Sequence, residues 1–405
     1  MTPGTRDPAP RIDPVESSSA IRPGRAPAQA SELRIYGPPP VRRLRRILLA
    51  AFLFLAIPVL FSYVTTMLRP SNSSMGIRTV EWLRDHGAAQ LVADAESFYY
   101  SLNAPAKGGP QLKSLPSVGV AAGLAAGAKT VERPPRITPL TSSPLPGEGV
   151  WHTTQQGVSE SRPPLLVTTF RSDPAEYPRL VAGVAWINTA RSIVSLYPGR
   201  MEPAVTLPSR GAMEVPGEFR HKLLATFNSG FKLGDSKGGW GYHGHAYAPM
   251  RDGQATFVRY SGGRYDVISW TGGPSLPGNV EFARQNLPLI VEQGRPTSRL
   301  ANGAEWGATV GNAVRVWRSG LGVDAKGNLI YAAANDQTVG SLAHILIHAG
   351  AVRAMELDIN SYWISFNTYA APGALLPSKL LSETERPAER YLTPDDRDFF
   401  AVYAR

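Results

Sequence analysis

From Ile47 to Leu68 the chain runs 22 residues without a charge. As a helix this run is about 33 Å long, enough to cross a hydrocarbon core of roughly 30 Å. Pro58 is tolerated in such a helix, because neighbouring groups can satisfy the freed carbonyl. Arg42, Arg43, Arg45 and Arg46 precede the run and only Arg69 follows closely. The positive-inside rule then places the N-terminus in the cytoplasm and everything beyond residue 70 outside. A buried core helix is opposed by the length and the basic flank. A cleaved signal peptide is opposed by the long apolar run, and "SYVTTMLRPSNSS" lacks a clear A-x-A cleavage site. The expectation is an uncleaved, single-pass signal anchor over 44–68, embedded in a cell membrane through residues 47–68.

This anchor also explains the charge. The chain carries a formal +10, but residues 1–70 hold ten arginines against four acids, leaving 32 basic and 28 acidic residues for 71–405. Most of the excess is a topology signal, so nucleic acid is not an expected partner. With no cysteine in the chain, disulfides and thiolate metal sites are excluded. Arginine outnumbers lysine 34 to 8, and Ala, Gly and Pro are heavily used, which suggests a GC-rich bacterial source.

Composition divides the rest. Residues 1–43 are rich in Pro, Ser, Ala and Arg and read as a disordered tail. Residues 76–102 carry Val80, Leu83, Ala88, Leu91, Val92 and Ala95 at helical spacing, a juxtamembrane amphipathic helix weakened at Gly87. Residues 103–150 are Pro/Gly/Ala-rich and read as a linker. From Trp151 onward short apolar runs alternate with turn residues, from "LLVTTF" (165–170) to "DFFAVYA" (398–404). The clearest helix is "TVGSLAHILIHAG" (338–350), with Leu342, Ile345, Leu346 and Ala349 as one stripe and Gly350 as its stop. Residues 151–405 are therefore expected to form one α+β domain, a strand-rich mixed sheet with few helices.

Four stretches of that domain are dense in polar and glycine residues. "ATFNSGFK" (225–232) ends a strand at Asn228 and turns at Gly230, as either an ordinary Asx turn or a ligand-facing tip. "KGGWGYHGHAYAPM" (237–250) reads either as a mobile glycine loop with solvated imidazoles or, if it forms a strand, as a face shared by His243 and His245 for a proton donor or a ligand pair. "VWRSGLGVDAKGNLIY" (316–331) reads as a hairpin with Arg318 in an apolar strand end, either a surface cation or a grip for phosphate. "AMELDINSY" (354–362) alternates apolar residues with Glu356, Asp358 and Asn360, which share a face if the strand continues. The two acids are then either half-buried pairing partners for arginine or an acid/base pair.

Taken in order, these stretches resemble the phosphodiester glycosidase family. Asn228, Gly230 and Phe231 match a strand end of the form N-G-G-F-F. Arg318, Gly322 and Gly327 echo R-T-A-I-G-x-x-x-D-G. Gly350, Ala354, Leu357 and Asp358 echo the final L-G-A-x-x-A-L-N-L-D-G-G-G-S-S. The resemblance spans Leu165 to Arg405, although the glycine run after the aspartate is here Ile359-Asn360-Ser361. It implies hydrolysis of a sugar 1-phosphodiester in a cell-surface or exopolysaccharide glycan, with Asp358 as the central carboxylate. On that reading Glu356 partners Asp358, Arg318 binds the phosphate, and Asn228, Gly230 and Asn360 orient the ligand. His243 or His245 supplies a proton, and Trp240, Tyr242 and Trp363 are available to stack on sugar rings. No metal is required, although an oxygen set of Asp358, Glu356 and Asn360 would suit calcium or magnesium. The alternative is a non-catalytic glycan-binding or cell-envelope assembly protein with the same fold.

Overall fold

A computed structural model describes residues 40–119, 133–156, 162–302, 306 and 315–405. Most of the expected disordered tail and residues 120–132 of the expected linker lie outside them. The chain divides after Phe61 into an N-terminal unit and a second compact unit, Ser62–Arg405. Residues Pro40–Leu68 form a helix with Pro58 inside it. By length and composition it can cross a membrane, and its apolar side chains, such as Phe54 and Leu55, are exposed.

Within the second unit, helix Met75–Leu83 starts on Ser74, whose side chain accepts from the Ile77 amide. The helical path breaks at His86 and Gly87, the latter at φ +90°, and resumes as Ala89–Leu102. The glycine weakness in the sequence is thus a real break, at a conformation most residues avoid.

Three sheets follow. The eight-stranded one runs, in spatial order, His152–Thr153, Leu165–Arg171, Val181–Ile187, Leu329–Gln337, Val316–Asp324, Ala351–Glu356, Leu289–Glu292 and Arg295–Pro296. A five-stranded sheet contains Leu375–Lys379, Phe366–Ala371, Leu223–Asn228, Phe399–Ala404 and Ser192–Tyr197. The third contains His245–Ala248, Trp240–Tyr242, Val280–Gln285, Ala255–Tyr260 and Tyr265–Ser269. Among the described strands every pairing is antiparallel. The strand-rich α+β expectation therefore stands, with antiparallel ladders in place of a mixed sheet.

The eight-stranded sheet is buried on both faces, so its central strands carry mostly apolar or small residues. Trp317, Leu321 and Val323 join Phe227, Phe366 and Phe400 in the core facing the other two sheets. On the opposite face lies helix Val339–His348 with Leu342, Ile345 and Leu346. Its start is a capping box between Thr338 and Ser341, and Gly350 follows its end at φ +103°. The helix links Leu329–Gln337 to Ala351–Glu356, which flank Val316–Asp324 on its two sides. It can lie so close because Gly320 sits beneath it. A Cβ on Gly320 would be 2.8 Å from Leu346 Cδ1 and 2.9 Å from the Met355 carbonyl oxygen.

The described end of the expected linker is part of the fold. Ile137 and Trp151 are buried, and Glu148 is enclosed with Arg171, its Oε2 2.8 Å from Arg171 Nη2. Gly149 serves packing there. A Cβ on Gly149, at φ +71°, would meet the Ile137 carbonyl at 2.0 Å. Overpacking beneath the helix predicts that Gly320→Ala lowers unfolding free energy by about 1–3 kcal/mol, read from urea denaturation.

Candidate functional site

Strand ends of the three sheets meet around Asp358. Leu223–Asn228 brings Asn228 there, buried, with every polar atom engaged. Its Nδ2 donates to Ser319 Oγ (3.0 Å) and to the Ser229 carbonyl (2.9 Å). Its Oδ1 accepts from Tyr331 OH (2.9 Å) and from the Ser365 amide (3.1 Å). Ser319 Oγ donates onward to the Asp358 carbonyl at 2.8 Å. Asn228 and Asp358 are therefore joined through one serine, although 130 residues separate them.

The ladder ends at Glu356, and the chain turns. The Asn360 amide donates to Asp358 Oδ1 and the Tyr362 amide to Asn360 Oδ1, both at 3.0 Å. Consecutive side chain-to-backbone bonds of this kind build a tight turn without glycine. This corrects the expectation that Glu356, Asp358 and Asn360 share one extended face. Arg397 Nη2 donates to Asp358 Oδ2 (2.9 Å) and to the Gly230 carbonyl (3.2 Å). Burial raises the Asp358 carboxyl above its ordinary range, and Arg397 opposes the rise. Gly230 is needed for close approach, because a Cβ there would be 2.9 Å from Asn286 Cγ. Asn286 Nδ2 donates to the carbonyls of Glu356 (2.7 Å) and Leu357 (3.1 Å), tying the third sheet to this turn.

Arg318 and Glu356 form a separate, fully buried pair. Alternation along the strand explains this. Ser319 faces Asn228, so Arg318 faces the other way, with its Nε donating to the Gln337 carbonyl at 3.0 Å and its Nη1 to the Trp306 carbonyl at 3.3 Å. The cation that reaches Asp358 is Arg397, which carries no local signal in the sequence, and Arg318 is committed inside the fold. Desolvation raises the Glu356 carboxyl to about 7 despite the opposing pull of Arg318, and Asp358 adds to the rise. Its Oε2 meets no hydrogen-bond partner among the described residues, which suits a protonated acid.

The histidines lie elsewhere. The His243 amide bonds to the Glu281 carbonyl, and its exposed ring is 3.2 Å from Glu281 Oε2. Glu281 is five residues before Asn286 on the chain, roughly 16 Å along an extended strand. His245 is exposed and packs its ring against Tyr247. Trp240 and Tyr242 line a cavity of about 290 Å³ with Leu196, Tyr197 and Tyr247, and Asp358 does not line it. Trp363 is buried beneath Arg390 and Arg397, at 5.2 and 5.0 Å from its ring.

Two further groups complete the neighbourhood. Glu202 is buried, its Oε2 accepts from the Leu233 amide at 3.1 Å, and burial raises its carboxyl while Arg397 lowers it. Arg284 Nε donates to Asp398 Oδ2 at 2.8 Å. Of the oxygens that sequence reading offered to a divalent cation, Asp358 Oδ2, Glu356 Oε1 and Asn360 Oδ1 are turned to Arg397, Arg318 and the Tyr362 amide. Among the described residues no group of three or more acids and histidines gathers as a metal site.

No protein-family model matches the chain, and no curated protein matches it. Solved structures that it resembles include a hypothetical protein from Synechocystis, at 14% identity and a TM-score of 0.33, covering 56% of this chain and 59% of that one. Another is the zebrafish N-acetylglucosamine-1-phosphodiester alpha-N-acetylglucosaminidase catalytic domain, auto-inhibited by pro-peptide. There the identity is 14% and the TM-score 0.38, covering 61% of this chain and 85% of that one. Such low scores do not assign a chemistry to this chain.

The Glu356 shift makes a pH prediction. A carboxyl whose folded pKa lies above its unfolded value binds more protons when folded, so its contribution to stability falls as pH rises between the two values. The wild-type advantage over Glu356→Gln should therefore shrink from about pH 4.5 to about pH 7 and level off above. The total change should be no more than roughly 3 kcal/mol in urea melts. A growing advantage across that interval would contradict the assignment.

Proposed function

We propose that the chain is a membrane-anchored hydrolase that cleaves a sugar 1-phosphodiester in a cell-surface or exopolysaccharide glycan, with its N-terminus in the cytoplasm and Ser62–Arg405 largely outside. The observation that carries this reading is that three residues of the sequence resemblance converge: Asn228 reaches Asp358 through Ser319, and Gly230 and Asp358 both accept from Arg397. Breaking a glycosyl–phosphate bond builds positive charge on the sugar ring and negative charge on the departing phosphate. Asp358 answers the first as the carboxylate beside the anomeric carbon. Arg397 answers the second, as a planar donor suited to phosphate oxygens. Glu202, whose carboxyl burial raises while Arg397 and the Leu233 amide oppose the rise, takes the role of the acid in place of the histidines.

The second reading, a glycan-binding protein without turnover, is favoured by one observation. The turn after Asp358 carries Ile359, Asn360 and Ser361 where the family pattern has glycines, and the buried Trp363 follows it. The detergent-purified full chain, assayed on UDP-N-acetylglucosamine and an aryl glycosyl phosphodiester, separates the two. Hydrolysis reduced by Asp358→Asn at least ~10³-fold supports the enzyme. Saturable glycan binding without turnover, unchanged by that substitution, supports the binding protein.

A further inference from the structure

The segment that follows the membrane-length helix is fastened across the same neighbourhood. Ser71 Oγ and Ser73 Oγ donate to Asp396 Oδ2 at 2.5 and 2.6 Å, and Asn72 Nδ2 donates to Asp395 Oδ2 at 2.8 Å. The Ser74 amide then donates to Tyr362 OH at 3.1 Å, in the turn that follows Asp358. These bonds aim helix Met75–Leu83 so that Glu81 is buried, at 8% exposure, between two cations from distant parts of the chain. Glu81 Oε1 is 3.4 Å from Lys232 Nζ and 3.8 Å from Arg397 Nη1, and Asp85 Oδ1 is 3.8 Å from the same lysine. All three separations exceed hydrogen-bond length. One carboxylate oxygen is thus stretched between two donors, where a tetrahedral anion could offer each cation its own oxygen.

We propose that Lys232 and Arg397 form a phosphate subsite beside Asp358, and that Glu81 occupies it in the conformation seen here. The inference rests on the proposed hydrolase and names the part of its site that takes the substrate's phosphate group. A phosphate entering with Glu81 in place meets like charge from Glu81 and Asp85. The helix Met75–Leu83 must therefore withdraw when the anion binds, and the broken path at Gly87 leaves it separate from Ala89–Leu102. Lys232 follows directly on the Asn228–Phe231 turn, so the same loop that positions Asn228 delivers this cation.

The experiment titrates inorganic phosphate, and in parallel UDP-N-acetylglucosamine, into the detergent-solubilised full chain by calorimetry. Glu81→Gln should tighten phosphate binding about tenfold, and adding Lys232→Met to that variant should remove the gain, whereas Lys232→Arg should keep it. Hydrogen exchange of residues 75–83 should also quicken when phosphate is added, a response that a purely structural clamp would not give. Unchanged phosphate affinity in Glu81→Gln, or full affinity retained by Lys232→Met, overturns the proposal. If phosphate behaves as described and no phosphodiester is ever cleaved, the hydrolase falls and the anion subsite stands. If phosphodiester is cleaved while phosphate affinity is indifferent to Glu81, the hydrolase stands and the subsite falls.

Discussion

The ion pair of Arg397 with Asp358 is the constraint on which the rest of this architecture depends. It belongs to four consecutive charged residues, Asp395 to Asp398, all buried and each with a different duty. Asp395 takes Arg390 through two bonds of 2.9 and 3.0 Å. Asp396 takes Ser71 and Ser73, Arg397 takes Asp358, and Asp398 takes Arg284. Burial alone would raise the Asp395 carboxyl, yet Arg390 holds it below its ordinary value. Such a network gives little net stability over a well-packed apolar core. Its members tolerate poorly the loss of a partner, because the remaining charge stays buried and uncompensated. What it secures is position, since one short segment indexes elements from residue 71 to residue 358.

Much of the fold was legible in the sequence because period and turn chemistry are local. The helix Val339–His348 was visible through its apolar stripe and Gly350, all within a dozen neighbouring residues, whereas its Thr338 cap emerged only in the structure. The longer strands were visible as apolar runs between turn residues. The short strands Trp240–Tyr242 and His245–Ala248 were not, because a run of glycines and aromatics has no period to read. Gly149 read as part of a tether because composition cannot tell a flexible glycine from one placed where two backbones touch.

The site was legible in part, for the same reason. Asn228, Gly230 and Asp358 stand out locally, each at a strand end where the chain must turn. Arg318 and Glu356 stand out too, as charges in apolar strands; pairing with an arginine was the plainer fate open to Glu356, whereas Arg318 read as a surface cation or a phosphate grip. Their direction depended on which way one strand faces, and Ser319 settles it by facing Asn228. Arg397 and Glu202 gave no local signal. A charged residue near the chain's end reads as surface until the fold reveals what surrounds it.

The two margins of the eight-stranded sheet have a consequence for crowding. Each is a strand of only two residues, His152–Thr153 on one side and Arg295–Pro296 on the other. A proline offers no amide to a ladder, and a two-residue edge gives a passing chain almost nothing to grip. Copies of the chain that collide at high concentration therefore find little on this sheet from which a fibril could grow.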